Sequence, residues 1–477
     1  MARKDGTISR VLASVRKSGT GEVNLKFVDL TGRWHQVTLP IGHFTEEIFS
    51  RGVAFDGSSV PGFTRLESGD LRLIPDPASR FAEKVGGTDS ISLICSVVEA
   101  DTKVAFSRDP RLVAKKAEAY LAKTGIADEA YFMPELEFNV FDEIKLHGVP
   151  TITGYSVRSL SAGLEPGSSC KAYPWISGKG YHAVPPLDRY LWLRSLMVAE
   201  MGRAGIGVKY SHHEGGSAGQ CEIEVRPTRL LAAADHIMVA KYIIKNLAVR
   251  HGLVATFIPK PLYGQPGNGM HFHQNLVKRG RNIFFKRGGY GGLSREALYY
   301  IGGLLKHGRA LLALTCPSTN SYKRLVPGFE APVCFSYSIG NRSAAVRIPK
   351  GITVERDARV EFRPSDGTAN AYLAVSAMLM AGIDGIRRRI DPEKEGFGPF
   401  DVDAFKVTDL EARGMTAVPF DLHEALESLR DDHDFLLAGE VFTEDLIKTW
   451  IELKYRLEIY PIRQRPHPYE IELYLDC

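Results

Sequence analysis

Met133-Pro134-Glu135-Leu136-Glu137-Phe138-Asn139-Val140 alternates charged and apolar residues. In a strand such alternation places Glu135 and Glu137 on one face and Leu136, Phe138 and Val140 on the other. The pattern recurs in Cys221-Glu222-Ile223-Glu224-Val225-Arg226. In Gly269-Met270-His271-Phe272-His273-Gln274-Asn275 both histidines share a face with Asn275, and in Arg359-Val360-Glu361-Phe362-Arg363 a glutamate sits between two arginines. Any one of these strands alone reads as amphipathic, with its polar face in water. Together they repeat Glu, His and Arg with little Lys or Thr. Clustered carboxylates repel unless a cation sits among them. Oxygen-rich sites with an occasional imidazole suit Mg²⁺ or Mn²⁺ better than zinc. Divalent ions ringed by arginines suit phosphoryl transfer. No GxxxxGK[ST] run occurs, so metal ions and arginines would have to hold a nucleotide's phosphates.

The chain has 477 residues, more than one core usually serves, so two domains are expected. Hydrophobic residues make up 44% and charged residues 24%, a globular balance that argues against disorder. The net charge of +4 is interspersed, unlike the basic stripe of a nucleic-acid binder. The N-terminal stretch lacks the apolar segment of a secretory signal. No run reaches the roughly 18 apolar residues of a membrane helix; Ala371–Ile386, carrying Asp384, reads as a buried helix. The six cysteines are irregularly spaced with no CxxC, which points to neither a zinc site nor a disulfide framework. A reducing cytoplasm is the simplest compartment.

The first hundred residues read as β-rich, with strands over 23–29, 34–39 and 90–97 and an irregular loop over 55–62. Asp109-Pro110 starts a helix that runs to about Gly125, Asp as cap and Pro in the first turn. The domain boundary is placed just before it, giving 1–105 and 106–477. Further helices are expected over 187–204, 228–251, 294–313, 368–388, 421–438 and 443–459. Residues 146–180, rich in Gly, Ser and Pro, read as one long excursion.

These strands, in this order, resemble the glutamine synthetase family from about residue 20 to the C-terminus. The resemblance rests on Phe55-Asp56-Gly57-Ser58-Ser59, Pro134-Glu135-Leu136-Glu137, His212-His213-Glu214 followed by Gln220-Cys221-Glu222, Lys260-Pro261-Leu262, and Gly269 to His273. It extends through Asn320 to Pro332, Asn341-Arg342-Ser343, Arg347-Ile348-Pro349 and Pro466-His467-Pro468. It implies an α+β fold of the prokaryotic type. An N-terminal β-grasp domain would precede a large catalytic domain of the glutamine synthetase/guanido kinase type with an antiparallel sheet funnel. Subunits would assemble as two stacked hexamers, a dodecamer with active sites shared between neighbours.

The implied reaction joins ammonium to the γ-carboxylate of L-glutamate at the expense of ATP, through a γ-glutamyl phosphate. One Mg²⁺ or Mn²⁺ would be held by Glu137, Glu214 and Glu222, and a second by Glu135, His271 and Glu361. Arg342 and Arg347 would meet the phosphates. Arg324 and Arg363, planar bidentate donors, would grip substrate carboxylates, with Glu137, Tyr181 and the Gly267 carbonyl also at the amino acid. His273, Asn275, Arg356, Arg359 and Lys209 would line the nucleotide side, and Phe63 of a neighbour would stack near the adenine. Asp56, with Ser59 nearby, would bind ammonium from the adjacent subunit and take its proton. Glu330 would shield the acyl phosphate from water. His212 and His213 are expected to pack behind the ligands, and Glu224 to pair with an arginine.

Four positions depart from the common bacterial pattern: Lys209 for Glu, Pro266 for Asn, Asn275 for Ser and Gly340 for Arg. Phe405 stands where some members carry an adenylylated tyrosine, so that control is expected to be absent. Two alternatives stay open. One is a related γ-glutamyl-amine ligase, against which the intact Asp56 loop argues. The other is a catalytically silent member with a binding or regulatory role, against which the full ligand set argues.

Overall fold

The computed structural model describes residues 2–84, 89–149, 152–161, 180–402, 404 and 414–477. Phe405 and residues 162–179 of the expected excursion lie outside them. The chain opens on a helix that the sequence reading passed over, α1 (Ala2–Lys17). Val11 and Val15, one turn apart, are buried against the first sheet, with Leu12 packed beside them.

In that sheet β1 (Glu22–Val28) pairs antiparallel with β2 (Trp34–Pro40). The turn between them needs Gly32, whose φ is 83° and whose missing Cβ leaves room for Asn370. β3 (Val53–Asp56), β4 (Asp70–Pro75), β5 (Phe81–Glu83) and β6 (Ser90–Glu99) complete the sheet in the order β2-β1-β6-β4-β3, with β5 also on β6 and only β1 and β6 parallel. The Phe55-Asp56 pair, read as loop, instead ends β3. Both faces are covered: Leu25 and Leu93 point into the domain's own core, while Val28 and Ile94 join the larger core formed by the rest of the chain. This is a β-grasp domain.

Helix α2 (Pro110–Thr124) follows, capped by the Asp109 side chain and closed by Gly125 in the left-handed region. The long strand β7 (Glu129–Phe141) then organises the second sheet. Its neighbours are β8 (Val208–His213), β9 (Gln220–Val225), β10 (Met270–Lys278), β11 (Cys334–Ile339), β12 (Ala344–Ile348) and β13 (Val360–Phe362), in the order β8-β9-β7-β10-β13-β12-β11. All these pairings are antiparallel except β11 with β12. Residues 143–149 and 152–158, the former partly inside the expected excursion, form a separate hairpin. The apolar faces of β7, β9, β10 and β13 pack into one core with α3 (Leu191–Arg203), α4 (Leu230–Arg250), α5 (Arg295–Lys306), α6 (Gly308–Thr315) and α7 (Ala371–Arg388). The expected helix over 294–313 is broken at His307 into α5 and α6. Gly308 lets the Phe335 ring approach where a Cβ would sit 2.4 Å from it.

Two buried polar groups tie distant elements together. Arg111 donates to Asp235 at 2.9 and 2.8 Å and to Asp76 of the β-grasp domain at 2.8 Å, and the Tyr372 hydroxyl donates to Asp235 at 2.6 Å. His307 bridges Asp384 (2.9 Å) and Asp432 (2.8 Å). Burial alone would lower the His307 pKa, but its hydrogen bonds to Asp384 and Asp432 outweigh this and raise it. Such a group stabilises the fold fully below the unfolded histidine pKa of about 6.5, and that contribution is lost as pH rises through the higher folded value. Replacing His307 by Ala should therefore lower the urea midpoint at pH 6 by the equivalent of roughly 2–4 kcal/mol, and by less at pH 9, as read from denaturation curves at the two pH values.

Candidate active site

Cross-strand register assembles the charged faces into rows. Glu222 on β9 lies opposite Glu137 on β7 and opposite His212 on β8. Glu224 lies opposite Glu135, which on its other side lies opposite His271 on β10. His273 faces Glu361 on β13, and Glu361 faces Arg347 on β12. Directly opposed residues hold their Cβ atoms about 5 Å apart, so these pairings alone put the ionisable groups on one concave face.

The contacts divide the face into two poles. At the first, Glu135 accepts from His271 at 3.0 Å and from His273 at 2.9 Å. Glu361, 1% exposed, is clamped by Arg347 and Arg363. Burial would raise the Glu361 pKa, but Arg363 and then His273 hold it down at about 2. Burial is likewise outweighed at Glu135, which His273 and His271 hold well below the usual carboxylate range. The potential ligand atoms of Glu135, His271 and Glu361 lie within 4.8 Å of one another, as do those of Glu135, Glu224 and His273.

At the second pole no lysine or arginine among the described residues forms an ion pair with a carboxylate. Glu214, Glu222 and His212 form another such group, with His212 3.6 Å from Glu214 and 3.5 Å from Glu222. Burial and then Glu137 push Glu214 up to about 7. Burial, followed by Glu135, Glu137 and Glu214, pushes Glu222 well above its ordinary value. Burial also lowers the His212 pKa, so that imidazole offers little positive charge. This donor set fits a divalent cation on its chemistry: hard carboxylate oxygens and a neutral imidazole, crowded enough that protons otherwise take the cation's place. His212 therefore stands in the cluster and not behind it. Its signal in the sequence is the alternation Tyr210-Ser211-His212 opposite Glu224-Ile223-Glu222.

Close approach of the backbone completes the face. Gly269 donates to Glu137 at 2.6 Å, and a Cβ there would lie 2.5 Å from Arg324 and 2.6 Å from His271. Gln220 donates to the Gly267 carbonyl at 2.9 Å. Arg324, 3% exposed, is fixed by the carbonyls of Arg363, Pro364 and Ser365 and lies 3.2 Å from the His271 ring. Arg363 also donates to the Arg342 and Glu330 carbonyls. Glu330 is exposed in the left-handed region at φ 56°. Arg342 lies at the rim beside Tyr181, whose ring stacks on His182 and meets His212 edge-on. Asn275 reaches the Ala358 carbonyl, Arg359 that of Asp357, and the Arg356 side chain is 88% exposed.

Two further expectations change. Glu224 pairs with Lys209, at 2.8 Å, and not with an arginine. Lys209 is thus held from within the sheet. Phe63 is 1% exposed and packs between Phe27 and Phe106 in its own β-grasp core, so its ring is not available to a neighbour's adenine. Asp56 and Ser59 stand apart from the face: among the described residues no hydrogen bond or ion pair joins them to it. Asp56 instead accepts from Ser58 and Ser59. Those hydrogen bonds, Ser58 first, hold its carboxylate below the usual range.

The cation deficit of the second pole gives a test. Glu222→Gln removes a carboxylate whose charge is disfavoured by burial and by Glu135, Glu137 and Glu214. In chelator the variant should melt no lower than the wild type, yet it should lose at least half of the rise in melting temperature that Mn²⁺ gives the wild type, read by scanning fluorimetry.

The chain matches family models in two consecutive parts: the glutamine synthetase β-grasp domain over residues 20–100 and the glutamine synthetase catalytic domain over 107–474. It is 45% identical to a glutamine synthetase of Frankia alni over 98% of both chains, and 44% identical to that of Mycolicibacterium smegmatis over the full length of both. Among solved structures it superposes on a Plasmodium falciparum glutamine synthetase with a TM-score of 0.87 at 26% identity over 98% of each chain. It also superposes on a GmaS–ADP complex with a TM-score of 0.81 at 27% identity, covering 98% of this chain and 99% of that one. With the β-grasp domain and carboxylate-rich sheet already in place, these likenesses assign the chain to the glutamine synthetase family of enzymes.

Proposed function

We propose that the chain is a glutamate–ammonia ligase that activates the γ-carboxylate of L-glutamate with ATP as a γ-glutamyl phosphate and exchanges the phosphate for ammonia. The observation that carries this reading is the sheet face on which buried carboxylates and imidazoles meet Arg324, Arg347 and Arg363. Glu137, Glu214 and Glu222 would hold one Mg²⁺ or Mn²⁺, with His212 beside them; Glu135, His271 and Glu361 would hold a second. Bound there, the ions would neutralise the phosphates of ATP. Arg324, fixed by three backbone carbonyls, is a permanent positive charge for a substrate carboxylate. Arg363 is a second, and Tyr181 and the Gly267 carbonyl lie nearby. Arg342 and Arg347 would meet the phosphates, with His273, Asn275, Arg356, Arg359 and Lys209 on the nucleotide side. Glu330 would cover the acyl phosphate against hydrolysis.

Asp56 is exposed and kept anionic, which suits it to bind ammonium and take its proton. Its separation from the sheet face within one chain supports sites shared between subunits. The exposed apolar side chains of Tyr460, Ile462, Tyr469, Ile471, Leu473 and Leu475 support assembly, which we take to be a dodecamer. We place the domain boundary between residues 105 and 106. The described cysteines are all free and mostly buried, which fits a cytoplasmic enzyme. Among the described residues no helix is long and apolar enough to cross a membrane.

Purified protein with ATP, Mg²⁺ or Mn²⁺ and glutamate, scanned over ammonium and a panel of amines for phosphate release and product mass, tests the reaction. Ammonium-dependent turnover is expected, with a high KM for glutamate because Pro266 offers no side-chain hydrogen bond. Pro266→Asn should lower that KM roughly threefold to tenfold. Turnover with an organic amine but not with ammonium would establish the amine-ligase alternative instead. Shared sites have their own test. Asp56→Ala and Glu361→Ala subunits, each inactive alone, should regain part of the activity when reassembled together, and verified mixed oligomers with no activity would overturn the shared site.

A further inference from the structure

Away from the sheet face, the seam between the two domains holds a cavity of about 570 Å³. One wall is the β1–β2 turn and the start of β2; the opposite wall is α4, with Lys454 and Glu458 at one end. Five cations line it: Lys26, Arg33, Lys241, Lys245 and Lys454. Two are neutralised by the chain itself. Lys26 lies 3.4 Å from Glu83, and Lys454 lies 2.6 Å from Glu458.

The other three have no ion pair among the described residues, although the Asp366 carboxylate attracts Lys241 from farther off. The Lys241 ammonium donates to the Gly367 carbonyl at 2.6 Å, while the adjacent Asp366 carboxylate is engaged by Thr368. Lys245 and Arg33 have no ion pair among the described residues. Instead the cations press on one another. Burial and then Lys245 bring Lys241 down to about 8, and burial and then Arg33 lower Lys245. Surface cations ordinarily point apart into water. Here three converge on one concavity of the size that takes small ligands, floored by the rings of Trp34 and Tyr242.

We propose that this cavity binds a small molecule bearing two or more anionic oxygens, phosphate or carboxylate, whose charge Arg33, Lys241 and Lys245 neutralise. None of the three belongs to the sheet face that carries the metal-ligand clusters, and such a ligand would brace the β-grasp domain against α4. Binding to the folded form alone raises stability by mass action.

The full-length protein in chelator, which suppresses metal-dependent phosphate binding elsewhere, is titrated by calorimetry and thermal shift with pyrophosphate in one arm and citrate in the other. The wild type should bind at least one probe and melt higher with it; a pyrophosphate-only response identifies a phosphorylated ligand, a citrate-only response a polycarboxylate. The double variant Arg33→Gln/Lys245→Gln should bind at least about tenfold more weakly, with unchanged ligase activity in the absence of probe. It should also melt no lower than the wild type without probe, because a repulsion has been removed. No binding of either probe, equal binding to the double variant, or a double variant that melts lower without any anion would each overturn the proposal.

Discussion

Carboxylates packed about 5 Å apart across adjacent strands repel, and most of what is particular to this structure accommodates that repulsion. The strands can hold them because their reverse sides are mostly apolar: Leu136, Phe138, Val140, Ile223, Val225, Met270, Phe272, Val360 and Phe362 are all fully buried. A slip of one residue in any pairing would send these side chains to the charged face and the glutamates into the core. The hydrophobic core thus fixes the register, and the register fixes the charges.

The structure balances those charges unevenly. Around Glu361 and Glu135 it supplies Arg347, Arg363, His271 and His273, so these carboxylates stay ionised. Around Glu214 and Glu222 the described residues supply an imidazole of lowered basicity and no lysine or arginine in ion-pair contact, and both carboxyl groups are pushed toward the protonated form. The second pole is therefore the one that most needs an external cation. Lys209 shows the same economy on a smaller scale: Glu224, with no exposed surface, pairs with a lysine that reaches in from the sheet's edge.

The β-grasp domain is held to the catalytic domain by apolar packing and by Arg111, which joins Asp76 to Asp235. On the β-grasp side Asp56 is exposed, and no hydrogen bond or ion pair among the described residues joins it to the chain's own sheet face. Among the described residues the same seam leaves Arg33, Lys241 and Lys245 without an ion pair, in contrast to Lys26 and Lys454, which have one each.

The sequence by itself determined the faces of the strands, because alternation needs no knowledge of the partner strand. It also determined the Asp109-capped helix, whose start and stop signals are local, and the buried helix that carries Asp384. The family resemblance named most of the residues that meet on the sheet. Only the tertiary structure decided who faces whom. His212 entered the Glu214–Glu222 cluster through the β8–β9 register, and Lys209 took the place expected for an arginine beside Glu224. Phe63 turned inward because Phe27 and Phe106, far from it in sequence, close a core around it. The break at His307 depends on Asp384, Asp432 and Phe335, and the cation-lined seam depends on β2 meeting α4. Each is a contact between residues distant along the chain, and local periodicity carries no information about such contacts.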